Sequence, residues 1–254
     1  MRNTIINLFT YQILFLFLFI ASSNKALAQF TDSTHYHIAL SATGSVNRAQ
    51  AANSYLITNV LSLGMKKKDY SMGLNGNYVY GQSNNALTNR DYNTIFNADL
   101  FKYTPFPHSF YWALLNYNTS FSLKINNENQ GGLGFAYSLI DTKNSYLNFS
   151  DGVVYDQSDL IVHDSIPYSY HIYRNSFRLA FHFSIKDIIV LDGSNYLQNS
   201  FKQGSDYVIR SNTSITFKLR KWIGLTTALV YNKMNRTDSE NFLFTYGLTV
   251  DKYF

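Results

Sequence analysis

The sequence predicts an all-β fold: a transmembrane, antiparallel, up-and-down β-barrel of about twelve strands, with ten as the alternative count. Three observations carry this. Apolar and polar residues alternate through most of the chain, as they do in strands whose two faces meet different surroundings. Many alternating segments run past ten residues, beyond the 5 or 6 usual in soluble sheets and within reach of the 9 to 11 a membrane-spanning strand needs. Aromatic residues (17%) outnumber charged ones (15%), whereas soluble domains carry roughly 25% charge.

The first 28 residues read as an export signal. Arg2 gives the positive start, Ile13, Leu14, Phe15, Leu16, Phe17, Leu18, Phe19 and Ile20 the apolar core, and Ala26, Leu27, Ala28 a small-x-small cleavage site before Gln29. The apolar run falls short of the ~20 residues of a spanning helix. Nothing as apolar recurs later, which excludes a multi-helix membrane protein. Residues 29–254 then form a single barrel domain. With no Cys in the chain, disulfide frameworks, thiol chemistry and lipoprotein anchors are excluded. The formal charge of +5 falls to +3 once Arg2 and Lys25 are removed, too mild an excess to suggest a nucleic-acid partner.

From residue 35 onward the strands follow in order. Tyr36, Ile38, Leu40, Ala42, Gly44 and Val46 oppose His35, His37, Ser41 and Thr43; Tyr70, Met72, Leu74, Gly76, Tyr78 and Tyr80 oppose Ser71, Asn75 and Asn77. Later, Phe177, Leu179, Phe181 and Phe183 stand against Ser176, Arg178, His182 and Ser184, and Tyr207, Ile209, Ile215, Phe217 and Leu219 against Asp206, Arg210, Asn212, Ser214 and Lys218. The last strand sets Phe242, Phe244, Tyr246, Leu248, Val250 and Phe254 against Asn241, Thr245, Gly247, Thr249 and Asp251, with Lys252 breaking the apolar face. The strands expected are 35–46, 53–66, 69–82, 90–103, 109–123, 129–140, 144–156, 170–184, 187–199, 205–219, 222–234 and 240–254. Those at 53–66, 109–123 and 144–156 have mixed faces, Asn59 and Asp151 falling among apolar neighbours, as a bulge or a register change would produce.

Bacterial barrels have short periplasmic turns and longer external loops. If the first strand rises from the periplasm, the periplasmic turns are 66–69, 104–108, 141–143, 186–187 and 220–221. The external loops, 82–89, 124–128, 157–169, 200–204 and 235–239, are expected to be longer. Hydrocarbon offers backbone groups no hydrogen-bond partner, so the sheet must close on itself, its apolar face turned to lipid. Tyr55, Tyr80, Tyr103, Trp112, Trp222 and Tyr231, near strand ends, are expected in aromatic girdles.

Tyr246, Leu248, Val250 and Phe254 resemble the C-terminal sorting signal of outer-membrane barrels of Gram-negative bacteria; Lys252 departs from that pattern. The resemblance implies the barrel-assembly machinery and outer-membrane lipid as partners. The run Gly131, Gly132, Leu133, Gly134, Phe135, Ala136, Tyr137 and the strand at 145–155 resemble the middle of a barrel family, domain of unknown function 481, the salt-induced outer-membrane protein type. Ser205, Asp206, Tyr207, then Leu219, Arg220, Lys221, Trp222, Thr226, Thr227, Ala228, Tyr231, Asn232 and Lys233, are similar to Bacteroidota-like members. The family implies fold and location, and brings no catalytic residues.

Chemistry is thinly marked. His35 and His37 share a strand face, but no third metal ligand accompanies them. His182 and Ser184 share another, without a nucleophile motif such as G-x-S-x-G. Gly131, Gly132 and Gly134 have no Lys-Ser/Thr after them to make a phosphate loop, and close strand packing accounts for them better. No cofactor site is expected. Parity puts Arg178, Arg210, Lys218, Asp206 and Asp251 on the lumen, either as a charged ring that selects solutes or as a salt-bridged plug. The small strand number favours the plug. The expected function is a narrow solute channel or an envelope-structural barrel. The competing readings are a barrel enzyme modifying lipid or lipopolysaccharide, and a secreted soluble sandwich with its Phe and Tyr faces buried.

Overall fold

The computed structural model describes residues 35–48, 53–102, 104–142, 144–162 and 166–253. The expected export segment, Tyr103 and Phe254 lie outside them. Twelve strands are formed among the described residues: β1 (His35–Arg48), β2 (Asn53–Lys67), β3 (Tyr70–Ser83), β4 (Ala86–Leu100), β5 (Ser109–Ser120), β6 (Ile125–Asp141), β7 (Ser145–Val162), β8 (Ile166–Ile185), β9 (Ile189–Ser200), β10 (Tyr207–Arg220), β11 (Ile223–Met234) and β12 (Ser239–Tyr253). Each pairs antiparallel with its neighbours in sequence, and β1 pairs with β12 from His37↔Tyr253 to Gly44↔Tyr246, closing the ring. Closure leaves no edge strand, so ladder hydrogen bonding continues round the whole circumference.

The two faces separate as the alternation requires. Phe177 is 41% exposed, Phe244 54% and Leu248 38%, with Phe181 half-buried, all on the outside, while their neighbours in sequence Ser176 and Thr245 are buried. Contacts between strands that are not ladder neighbours identify the inside: Gln130 on β6 meets Gln198 on β9, and Arg210 on β10 meets Glu128 on β6. The apolar face therefore looks outward, the inverse of a soluble barrel, which overturns the sandwich reading.

Asn59 and Asp151 follow the same parity on the outer face with no register shift beside them; the shifts lie in the β3–β4, β5–β6, β6–β7 and β10–β11 ladders. At Asp151 and Gly152, however, the β7–β8 pairing lapses between Ser150↔Arg178 and Val153↔Asn175.

Two expectations are corrected. Trp112 is not in a girdle. It shares the inner face of β5 with Phe110 and Leu114 and is buried, while Tyr111 takes the outer position. Gly134 and Gly152, paired across β6 and β7, make room for it: a Cβ at Gly152 would stand 2.5 Å from the Trp112 ring and 2.4 Å from Leu133 O. Loop lengths are also not sorted by end. Residues 82–89 hold only a tight turn at Asn84 and Asn85, both with positive φ (49° and 65°), the backbone that two-residue hairpins demand and Asn tolerates. Residues 157–169 mostly extend β7 and β8, which reach 18 and 20 residues because their alternation continues through Ser158, Leu160 and Tyr170. At the end where β1 begins and β12 finishes, by contrast, the connection from Leu100 to Ser109 outlasts every distal one.

Candidate functional site

The interior divides along the axis. Toward the distal end, the connection between β5 and β6 folds inward. Leu123 packs there with Ile125, Leu160, Tyr170, Ile172, Val208 and Met234, drawn from five strands and this turn. Ser122 ties the turn to both sides, its N and Oγ donating to Asp91 on β4 at 3.1 and 2.8 Å while it accepts from Asn241 on β12 at 2.7 Å.

Against this apolar cluster lies a network of buried ions. Arg174, fully buried on β8, donates from Nε to Asp156 at 2.6 Å and from Nη1 to Asp206 at 3.1 Å, with Tyr170 Oη 3.2 Å from Nη2. Tyr170 in turn donates to Asp156 at 3.0 Å. Arg236, in the β11–β12 connection, grips the other Asp206 oxygen from Nε (2.8 Å) and Nη2 (2.6 Å) and reaches Tyr168 Oη at 3.0 Å. Beside them Arg210 pairs with the fully buried Glu128, which also accepts from Asn118 at 2.9 Å. Three cations, Arg174, Arg210 and Arg236, thus meet three anions, Glu128, Asp156 and Asp206, none of them exposed. Such charges are tolerated away from water only when paired and hydrogen-bonded.

An amide layer continues the network. Asn93 donates to Asn116 (2.7 Å), and Asn116 and Arg210 both donate to the Gln130 carbonyl oxygen, while Gln130 itself donates across to Gln198 (3.2 Å). Next to this, Asn97, Asp99, Trp112, Ser150, Arg178 and Tyr196 surround a void of only about 10 Å³, room for about one water. Arg178 lies over the Tyr196 ring at 5.2 Å and donates to Ser194 at 3.2 Å.

Toward the end at which β1 begins and β12 finishes the interior becomes more exposed. Lys218 sits 3.5 Å from Asp251, and His182 Nδ1 2.6 Å from Asp192, which is 48% exposed; Tyr146 stacks on the imidazole at 5.6 Å. A chain of hydroxyls, Thr216 to Thr226 to Thr249 to Ser41, lines β10, β11, β12 and β1 with spacings of 2.7–2.9 Å.

Of the residues singled out from sequence, Arg178, Arg210, Lys218 and Asp251 occupy inward positions on their strands, and Asp206 lies just before β10 with its carboxylate in the ion network. They do not form one ring: Arg210 and Asp206 belong to the distal network, Lys218 and Asp251 to the opposite end, and Arg178 lies between. Tyr246, Leu248 and Val250 share the outer face of β12, as does Lys252. His37 looks inward, and no cluster of metal-ligating residues occurs among the described residues. Ser184 is 3.5 Å from Asp187. The glycine run packs closely: Gly132 and Gly134 face Val154 and Trp112.

Sequence reading missed Glu128, Asp156, Arg174 and Arg236. Arg174 has the parity of Arg178, which is a signal for it; Glu128 falls just ahead of the strand expected at 129–140, and Arg236 falls in the loop expected at 235–239.

The family model described as "Protein of unknown function, DUF481" matches residues 44–251. The chain belongs to this family. No curated protein matches the DUF481 chain. Among solved structures, it is similar to the NanC porin with a TM-score of 0.50 and 10% identity, covering 85% of this chain and 99% of the porin. The translocator domain of the autotransporter NalP from Neisseria meningitidis gives 0.46 at 8% identity, covering 90% of both chains. An outer membrane channel from Pseudomonas putida F1 gives 0.43 at 8%, covering 91% of this chain and 99% of that one. At such identities the NanC likeness speaks for the barrel fold alone.

Proposed function

We propose that this DUF481 barrel resides in the outer membrane of a Gram-negative bacterium and is a narrow, gated passage for small polar solutes, its distal half closed by the ion-paired plug. One observation carries the reading: the plug is held by connections as well as by strands. Asp206 and Arg236 lie in connections, and Leu123 in the inward turn. Connections move more readily than ladder strands, and a few ion pairs separate closed from open. Behind the plug, Arg178, Lys218, Asp192 and Asp251 line the approach with both signs of charge.

In this reading residues 1–28 direct export and are removed. The end at which β1 begins and β12 finishes then faces the periplasm, a reading that the even strand number supports. Tyr246, Leu248, Val250 and Phe254 present the assembly signal to the barrel-assembly machinery, and outer-membrane lipid covers the belt. The deciding experiment is conductance of the purified protein in planar bilayers. The wild type is expected to be mostly closed, with Arg236→Ala raising open probability at least several-fold. If neither protein conducts while both shift in mobility on boiling, as folded barrels do, the passage reading falls and an envelope-structural barrel remains.

A lipid- or lipopolysaccharide-modifying activity has one observation in its favour, the His182–Asp192 pair. That pair sits on the inner face, turned away from lipid. Release of fatty acid from phospholipid vesicles or lipopolysaccharide, abolished by His182→Ala, would establish it.

A further inference from the structure

The lipid-facing belt carries a carboxylate near its middle. On β7 the outward residues run Leu147, Phe149, Asp151, Val153, Tyr155, so Asp151 is flanked on both sides by apolar positions. Asn175 on β8 donates to one Asp151 oxygen at 2.8 Å, and the pair is exposed. On the next two strands Ser211 donates to Asn195 at 2.6 Å, again on the outer face. The outward residues of β1, β3 and β12 within the belt contain no amide or carboxylate, and β2 contains the single amide Asn59. The β7–β10 wall thus carries Asp151, Asn175, Asn195 and Ser211 on its outer face, where β1, β2, β3 and β12 together carry one amide within the belt. The other Asp151 oxygen, and the remaining N–H and carbonyl of Asn175, have no partner among the described residues, and lipid tails supply none.

Beside this strip the wall is hollowed. Gly131 points outward with no side chain, leaving a depression of about 400 Å³ rimmed by Phe96, Leu115, Tyr117 and Tyr155, with Asn129 and Gln157 on its polar side. Gly131, Tyr155 and Tyr173 are register partners on β6, β7 and β8. Tyr173, 59% exposed, is the ring that projects next to the hollow.

We propose that the β7–β8 wall is a two-fold interface with a second copy of this chain. The donor–acceptor pair is self-complementary: an axis along the membrane normal, passing between β7 and β8, sets Asp151 of each copy against Asn175 of the other. An isologous contact needs this exchange of donor for acceptor. The same rotation brings Tyr173 of the second copy to the Tyr155 rim of the hollow. A second copy satisfies the unpartnered groups without admitting water to the belt. The proposal rests only on the wall facing lipid, not on the lumen conducting.

The chain has no Cys, so single cysteines report directly. Val153→Cys, beside the proposed axis, and Leu63→Cys, on the β2 wall, are placed separately in phosphatidylcholine nanodiscs and oxidised. Val153→Cys is expected to give a covalent dimer and Leu63→Cys at least tenfold less; the wild type is expected at twice the monomer mass by native mass spectrometry. Asp151→Leu with Asn175→Leu is expected to yield monomers that still show heat-modifiable mobility. Monomeric wild-type protein, equal cross-linking from both walls, or a dimer that survives the double substitution overturns the proposal. If the double variant does not fold, the cysteine pair decides alone. Loss of heat-modifiable mobility in the wild type would instead count against the membrane barrel itself.

Discussion

Arg174 offers the sharpest test of the plug. Its guanidinium is fully buried, bonded to Asp156 at 2.6 Å and to Asp206 at 3.1 Å, with Tyr170 Oη at 3.2 Å. Arg174→Met keeps much of the side-chain volume and removes the charge, turning a balanced set of three cations and three anions into one with an excess carboxylate. Asp206 retains Arg236, whereas Asp156 keeps only the hydroxyls of Ser158 and Tyr170. Removing one partner of a buried pair costs about 3–5 kcal/mol, because the other charge stays desolvated. Urea titration of the barrel in vesicles, read by the mobility of unboiled samples, is expected to show that loss, and bilayers are expected to show more frequent opening. Adding Asp156→Leu is expected to recover a large part of the stability, since an apolar replacement of a whole pair is close to neutral. A variant within about 1 kcal/mol of wild type, the scale of an exposed pair, would mean that the network is hydrated and does not close the lumen.

The remaining predictions concern wall and export. Gly152→Ala must push Trp112 or the Leu133 carbonyl, which its Cβ would approach to 2.5 and 2.4 Å, and overpacking of this kind costs about 1–3 kcal/mol in the same titration. Trp112→Ala empties that site and is expected to cost about 3–5 kcal/mol; an effect confined to detergent binding at the barrel rim would restore Trp112 to a girdle. Leu61→Arg, on the outer face near the middle of β2, is expected to cost about 2–4 kcal/mol, as a cation at the bilayer midplane does. Val60→Asn, one residue away but facing inward, is expected to cost markedly less. Intact-mass measurement of outer-membrane protein is expected to find Gln29 as the first residue.

Much of the wall was legible because a ring facing lipid outside and polar groups inside prints its geometry onto every second residue. Phe177, Phe181, Phe244 and Leu248 could be turned outward from parity alone, since a slip by one residue would bury their faces and expose Ser176 and Thr245. Trp112 was misplaced for the same reason that parity succeeded elsewhere: its neighbours Tyr111 and Ala113 give β5 two apolar faces, and an aromatic near a strand end fits a girdle as readily as a core. Only pairing with Gly134 and Gly152 decides, and that is contact across strands. The distal loops were misjudged because Asn, Ser and Asp mark turns when they cluster and inner faces when they alternate. Residues 157–169 do both.

The ion network was the least legible because its members come from five separate segments. Glu128, Asp156, Arg174, Asp206 and Arg236 acquire meaning only when β6 through β11 curve far enough for non-neighbouring strands to touch. The same curvature ties the plug to the rest of the barrel. Glu128 and Arg210 stand on β6 and β10, so the segment between them, including β7 and β8, is held at a fixed bend while that pair persists. Breaking the Arg210–Glu128 contact would relax the wall that carries Asp151 and Asn175, whereas breaking Arg236–Asp206 would free only connections. Arg210→Met is therefore expected to disturb both conductance and cross-linking at residue 153, and Arg236→Ala conductance alone. Equal effects of the two substitutions on cross-linking would show that the plug and the outer wall respond as one body, and that the bend is not set by the β6–β10 pair.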